Sequence, residues 1–143
     1  MKYTLSNTIN STLPQVAGKI NDPEGVKEWT EHLQKITPVS GNYSDVGSKR
    51  DLHYLFRGKE MIIQETILEN NLPKQIKFAY DSQMGRNIVE LCFEELSPNK
   101  VKQTSNTTME LKGAMKLFGF LFKSMFKKQS RKYMEGFKSF SES

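Results

Sequence analysis

From Ile36 to Leu111 the chain keeps a period of two, and that constrains its fold more than any other feature. The alternation runs through Ile36 to Tyr43, Lys49 to Arg57, Glu60 to Glu69, Lys74 to Tyr80, Arg86 to Leu96 and Val101 to Leu111. Residues two apart share one face of a strand, so each segment reads as a strand with one face buried. The breaks are turn chemistry: Gly41-Asn42, Asp45-Val46-Gly47, Arg57-Gly58-Lys59, Asn70 to Pro73, Asp81 to Gly85 and Ser97-Pro98-Asn99. Connections this short make neighbours antiparallel.

Two further patterns bracket this sheet. Upstream, Lys2 to Asn10 alternates around Tyr3, Leu5 and Ile9, with the polar Asn7 interrupting the series. Ser11 or Thr12 can cap a short helix with Pro14 in its first turn and Leu13, Val16, Ala17 and Ile20 at helical spacing. Asp22-Pro23-Glu24 then starts a second, with Val26, Trp29 and Leu33 on one stripe. Downstream, Gly113 to Phe140 reads as one helix of about 42 Å. On a wheel, Met115, Phe118, Phe122, Met125, Phe126, Tyr133, Phe137 and Phe140 form one arc, opposite Lys116, Lys123, Lys127, Arg131 and Lys138. Leu117, Phe120 and Leu121 lie outside that arc, so the first half of this helix is apolar nearly all round. A short helix or loop, a second copy of the protein, or a lipid surface could cover it.

At 143 residues the chain is expected to form a single domain over 1–143. The N-terminal stretch has no apolar core of a secretory signal, and a cytoplasmic location is the expectation. The lone Cys92 cannot close an internal disulfide. With only His32 and His53 beside it, no zinc-type spacing is available, so neither metal nor cofactor is expected. Charge is uneven: Lys112 to Ser143 holds eight basic and two acidic residues, a net +6, against −1 for the remainder.

The order strand, two short helices, six antiparallel strands, long helix resembles the START-like or helix-grip superfamily, which includes the birch-pollen allergen. Local wording narrows it. NDPEGVKEWTEHL, GNYSDVGSKRDL, ETILENNLPKQIKFAYD and SPNKVKQTSNTTMELKG are similar to the polyketide cyclase/dehydrase and lipid-transport family. The resemblance implies an α+β fold, a seven-stranded curved antiparallel sheet wrapped around the C-terminal helix. It also implies a cavity between the two for a hydrophobic small molecule or lipid. It carries no shared catalytic motif, and the chain has no nucleophile elbow, Walker loop or dinucleotide-binding glycine pattern.

Parity nominates the cavity wall. Phe78 and Tyr80 share an inward face with Ile76, and Leu91 and Phe93 with Val89. On the strand from Lys49 the aromatic set Tyr54 and Phe56 is placed inward with Leu52, leaving His53 on the surface. Glu65 shares a face with Met61, Ile63 and Ile67. Inward, it would be a carboxyl in an apolar pocket, suited to acid/base work or to gripping a polar group; outward, it would pair with a neighbouring Lys or Arg. Gln103, Ser105 and Thr107 line the cavity in one register and face solvent in the other. From the helix, Phe118, Phe122 and Met125 complete the set.

Three functions remain open on these grounds: a carrier or sensor of a hydrophobic or amphipathic molecule, a cyclase or dehydratase using Glu65 or Tyr54, and a membrane-surface module using the lysine face and Phe120. The lysines read first as a solvated face complementing the helix dipole, so no nucleic acid partner is expected. Transient membrane contact, and a monomer or a homodimer, stay possible.

Overall fold

The computed structural model describes residues 1–143. All seven strands join one antiparallel sheet: β1 (Lys2–Ile9), β2 (Leu33–Ser40), β3 (Lys49–Phe56), β4 (Lys59–Asn71), β5 (Gln75–Ser82), β6 (Gly85–Ser97) and β7 (Lys100–Leu111). Their order across the sheet is β1-β7-β6-β5-β4-β3-β2. Helices α1 (Leu13–Ile20) and α2 (Val26–Trp29) carry the chain from one edge of the sheet to the other. The C-terminal helical segment then packs along β1 and against α2. This is the helix-grip arrangement that the element order implied.

Local chemistry explains most boundaries. Thr12 is the N-cap of α1, its hydroxyl accepting from the Gln15 amide at 3.2 Å. In the β3–β4 hairpin Arg57 and Gly58 both have positive φ, 49° and 78°, as a two-residue type I′ turn requires. Pro38 sits in β2, an edge strand, where one missing amide donor is tolerated.

Two expectations need correction. Leu33 was expected to end the second helical stripe, but α2 is a single turn. Thr30 turns extended, its hydroxyl donating to the Val26 carbonyl at 2.8 Å, and His32 takes φ 67°. Leu33 therefore enters β2 opposite Tyr54, and the strand starts and ends three residues earlier than its alternation suggested. The expected continuous helix from Gly113 to Phe140 is also broken. Ala114–Phe118 is α3, Gly119–Phe122 is a 3-10 turn, and Lys123–Glu142 is α4. Gly119 approaches β7 so closely that a Cβ there would stand 2.1 Å from Leu111 Cδ1. Glycine and phenylalanine are also weaker helix formers than the residues around them. Each 3-10 residue turns the chain about 20° further than an α residue, so the arc drawn across the break loses about 80° of phase.

The inner face of the sheet divides into two ends. At one, Ile9, Ile67, Ile76, Phe78, Leu91, Phe93 and Val101 close over Val16 and Ile20 of α1 and Phe137 of α4. At the other, Val26 and Trp29 of α2 help to line a space beneath α4 that stays open.

Candidate functional site

The open end is a cavity of about 460 Å³, and 20 of its 30 lining residues are hydrophobic. Its existence follows from the size of the side chains that the register stacks there. Across the centre of the inner face, Leu5, Ser105 and Leu91 stand side by side on β1, β7 and β6, followed by Tyr3, Thr107 and Val89. The middle strand contributes only short side chains to these rows. Nearer the end of β6, Gly85 contributes none. Bulky groups ring this depression: Leu52, Tyr54 and Phe56 of β3, Met61 and Ile63 of β4, Tyr80 of β5, and Met125, Phe126, Tyr133 and Met134 of α4.

Helix α4 is held over the cavity by polar and aromatic ties. The Tyr3 hydroxyl lies 2.7 Å from Ser130 Oγ. Gln103 donates to Asn7 Oδ1 at 2.8 Å, and the Asn7 amide in turn donates to the Met134 carbonyl and to Glu135. Asn7, which interrupts the alternation of β1, is thus an inward residue that joins sheet to helix. Trp29 meets Tyr133 and Phe137 edge to face at 6.4 and 5.7 Å. That approach needs Gly136, where a Cβ would lie 2.7 Å from the Trp29 carbonyl oxygen.

Polar groups inside are few. Gln103, Ser105 and Thr107 are all buried on the inner face, and all three line the cavity. Asn87 lies one row beyond Val89, and its amide oxygen is buried without a hydrogen-bond partner. Burial raises the phenol pKa of Tyr54, with Thr30 offsetting part of the shift. Tyr80 is raised as well, by burial first and then by the charge of Glu65. Burial also raises Tyr3 and Tyr133, partly offset by Ser130 and Gln129 respectively. These hydroxyls are therefore held as neutral donors.

Tyr54, Phe56, Tyr80 and Leu91, which parity placed inward, line one space with Met125 of the helix and with Gln103, Ser105 and Thr107, whose register the sequence left open. The other five nominated residues do not. Phe78 and Phe93 face inward but belong to the packed end, with Phe93 against Phe137. Phe118 and Phe122 turn outward, 51% and 37% exposed, because the 3-10 turn shifts the phase of the helix. Glu65 is buried on the inner face yet lies off the cavity. It accepts from Arg50 Nε at 2.7 Å, and both side chains are over nine-tenths buried. The two expectations for Glu65 are thus both partly met, inward and paired, but it is not a lone carboxyl in an apolar pocket. Arg50 also donates to the Pro23 carbonyl, and its guanidinium lies 3.9 Å from the Tyr43 ring centre.

Asn87, Tyr3, Trp29 and Tyr133 were not nominated from sequence. Parity with Val89 is the available signal for Asn87, and the alternation of Tyr3 with Leu5 and Ile9 is that for Tyr3. Trp29 lies on the apolar stripe of the second short helix and Tyr133 in the apolar arc of the C-terminal one, but that periodicity marks a buried face without telling cavity wall from packed core.

No family model matches this chain, and no curated protein is similar to it in sequence. Solved structures do match in three dimensions. Ara h 8.0201 superposes with a TM-score of 0.77 at 13% identity, over 99% of this chain and 97% of its own. The Zhui aromatase/cyclase from Streptomyces sp. R1128 gives 0.76 at 11% identity, over 99% and 93%. The di-domain aromatase/cyclase StfQ of the steffimycin biosynthetic pathway gives 0.76 at 12% identity, this chain covering 45% of its length. At such identities the likeness is one of fold.

Proposed function

We propose that this helix-grip protein binds a hydrophobic or amphipathic small molecule in the cavity between its sheet and α4, acting as a carrier or sensor. The observation that carries the reading is the pairing of a mostly apolar wall with a few buried polar groups. A volume of about 460 Å³ lies within the range of small-molecule sites, and such sites use few polar groups to orient a ligand. Tyr54, Phe56, Tyr80, Leu91 and Met125 would bury the apolar body. Ser105, Thr107 and Gln103 would orient a polar substituent, and the unpartnered Asn87 oxygen would accept from a ligand hydroxyl or amine. The methionines Met61, Met84, Met109, Met115 and Met125 suit a wall that adapts to irregular shapes. A reducing cytoplasmic setting, with Cys92 free, belongs to this reading.

A cyclase or dehydratase is the second reading, in which the Tyr54 hydroxyl would meet a substrate carbonyl as a hydrogen-bond donor; its raised pKa makes it a weaker proton donor than a free phenol, which counts against this reading. Glu65, tied to Arg50 and away from the cavity, would not take part. Native mass spectrometry of protein from a cell lysate tests the first reading. An added mass that is released on denaturation, and is lost in Ser105→Leu, is expected. A clean mass from every host, with no uptake of the fluorescent probe anilinonaphthalene sulfonate, would sink it.

A further inference from the structure

The segment from Leu117 to Met125 has no protein partner for its largest side chains. Leu117, Phe120 and Leu121 are 71%, 74% and 61% exposed, with Phe118, Phe122 and Met125 also open to solvent. Within α3 no residue is buried. An apolar run this long is rarely left uncovered on a monomer. Around it, between Glu110 and Glu135, the chain carries seven basic residues and no acidic one. All seven are exposed, and Lys112, Lys116, Lys123, Lys127 and Lys128 form no ion pair.

We propose that this segment docks on the surface of an anionic phospholipid membrane, with Leu117, Phe120 and Leu121 entering the acyl boundary and the lysines meeting the headgroups. Two requirements point to that occupant. The covering surface must accept aromatic and aliphatic side chains, and it must also carry dense negative charge beside them. A bilayer containing phosphatidylserine offers both within one interface. A second copy packed about a two-fold axis would set the same cationic segment against itself, like charge on like. No helix is long and apolar enough to cross the membrane, so the contact is interfacial.

Position links the contact to the cavity. Met115 and Met125 flank the exposed side chains and line the cavity, and the Lys112 amide donates to the carbonyl of Met84, a further lining residue in the β5–β6 turn. Docking would therefore set the open end of the cavity against the lipid. Exchange of a ligand through that end rests on the carrier reading; the docking itself does not.

Cosedimentation with phosphatidylcholine vesicles, with and without about 30% phosphatidylserine, tests this directly. The expected result is binding to the anionic vesicles alone, weakened by salt. Phe120→Asp combined with Leu121→Asp is expected to reduce binding about tenfold or more. Lys116→Glu with Lys123→Glu should have a similar effect. Neither pair touches the core or the cavity, so circular dichroism should match the parent. Ser105→Leu should bind vesicles as the parent does, which separates this test from the fate of the ligand. Equal binding to neutral vesicles, no binding to either, or undiminished binding by both paired variants would overturn the proposal. So would a dimer in sedimentation velocity that dissociates in Phe120→Asp, since a second copy would then cover the segment.

Discussion

Arg50 and Glu65 face each other across β3 and β4, directly opposite in register and both buried. Removing either partner leaves a desolvated charge, and that loss outweighs what the pair contributes while intact. Glu65→Gln is accordingly expected to lower unfolding free energy by about 3 kcal/mol in urea denaturation. Arg50→Met with Glu65→Leu should recover much of that loss, because two apolar groups leave no charge unpaired. If the double variant were as unstable as the sum of the singles, the pair would be contributing through geometry rather than charge. The pair was half legible in the sequence. Arg50 has the same parity as Leu52 and Tyr54, which marks it as inward, but its meeting with Glu65 depends on the hairpin register. That register is set by Arg57 and Gly58, and alternation within one strand does not contain it.

Elements whose environment is periodic could be read, and those shaped by a single close contact could not. The strands of the sheet alternate because one face is buried throughout, so their faces follow from composition. The break in the C-terminal helix depends on Gly119 meeting Leu111, residues joined only in space. Phe118 and Phe122 fall outside the expected face for that reason, while Met134 and Phe137, beyond the break, are buried on the sheet-facing side of α4. Two helical glycines separate propensity from packing. Gly18 in α1 has nothing within 4 Å of the site a Cβ would occupy, so Gly18→Ala should stabilise by roughly 0.5–1 kcal/mol. Gly136→Ala gains the same propensity, but its methyl would lie 2.7 Å from the Trp29 carbonyl oxygen and must displace α2. Overpacking of this kind costs about 1–3 kcal/mol, so a net loss of roughly 1 kcal/mol or more is expected, together with weaker Trp29 to Phe137 contact. Thermal denaturation of the two variants, with Trp29 fluorescence as the second readout, checks both signs.

Across the whole molecule the tyrosines report how the two ends are built. All five, at 3, 43, 54, 80 and 133, have phenol pKa values raised above the ordinary value, and burial is the largest cause in each. An unfolded chain releases these protons near pH 10, whereas the folded chain holds them to higher pH. Above pH 10 the unfolded state therefore binds fewer protons than the folded one, and stability falls as pH rises. Below pH 10 both states are protonated, and the full stability is present. Tyrosinate absorbance is thus expected to appear together with loss of the circular dichroism of the sheet, as one cooperative step, rather than as an independent titration beforehand. Tyr54→Phe removes one of the five phenols and should move the alkaline midpoint upward, provided the lost contact with Thr30 costs less. Early ionisation of Tyr54 in a still folded chain would mean that solvent reaches the inner wall of the cavity freely. The open end would then be wetter than its apolar lining implies, and the case for an apolar ligand there would weaken.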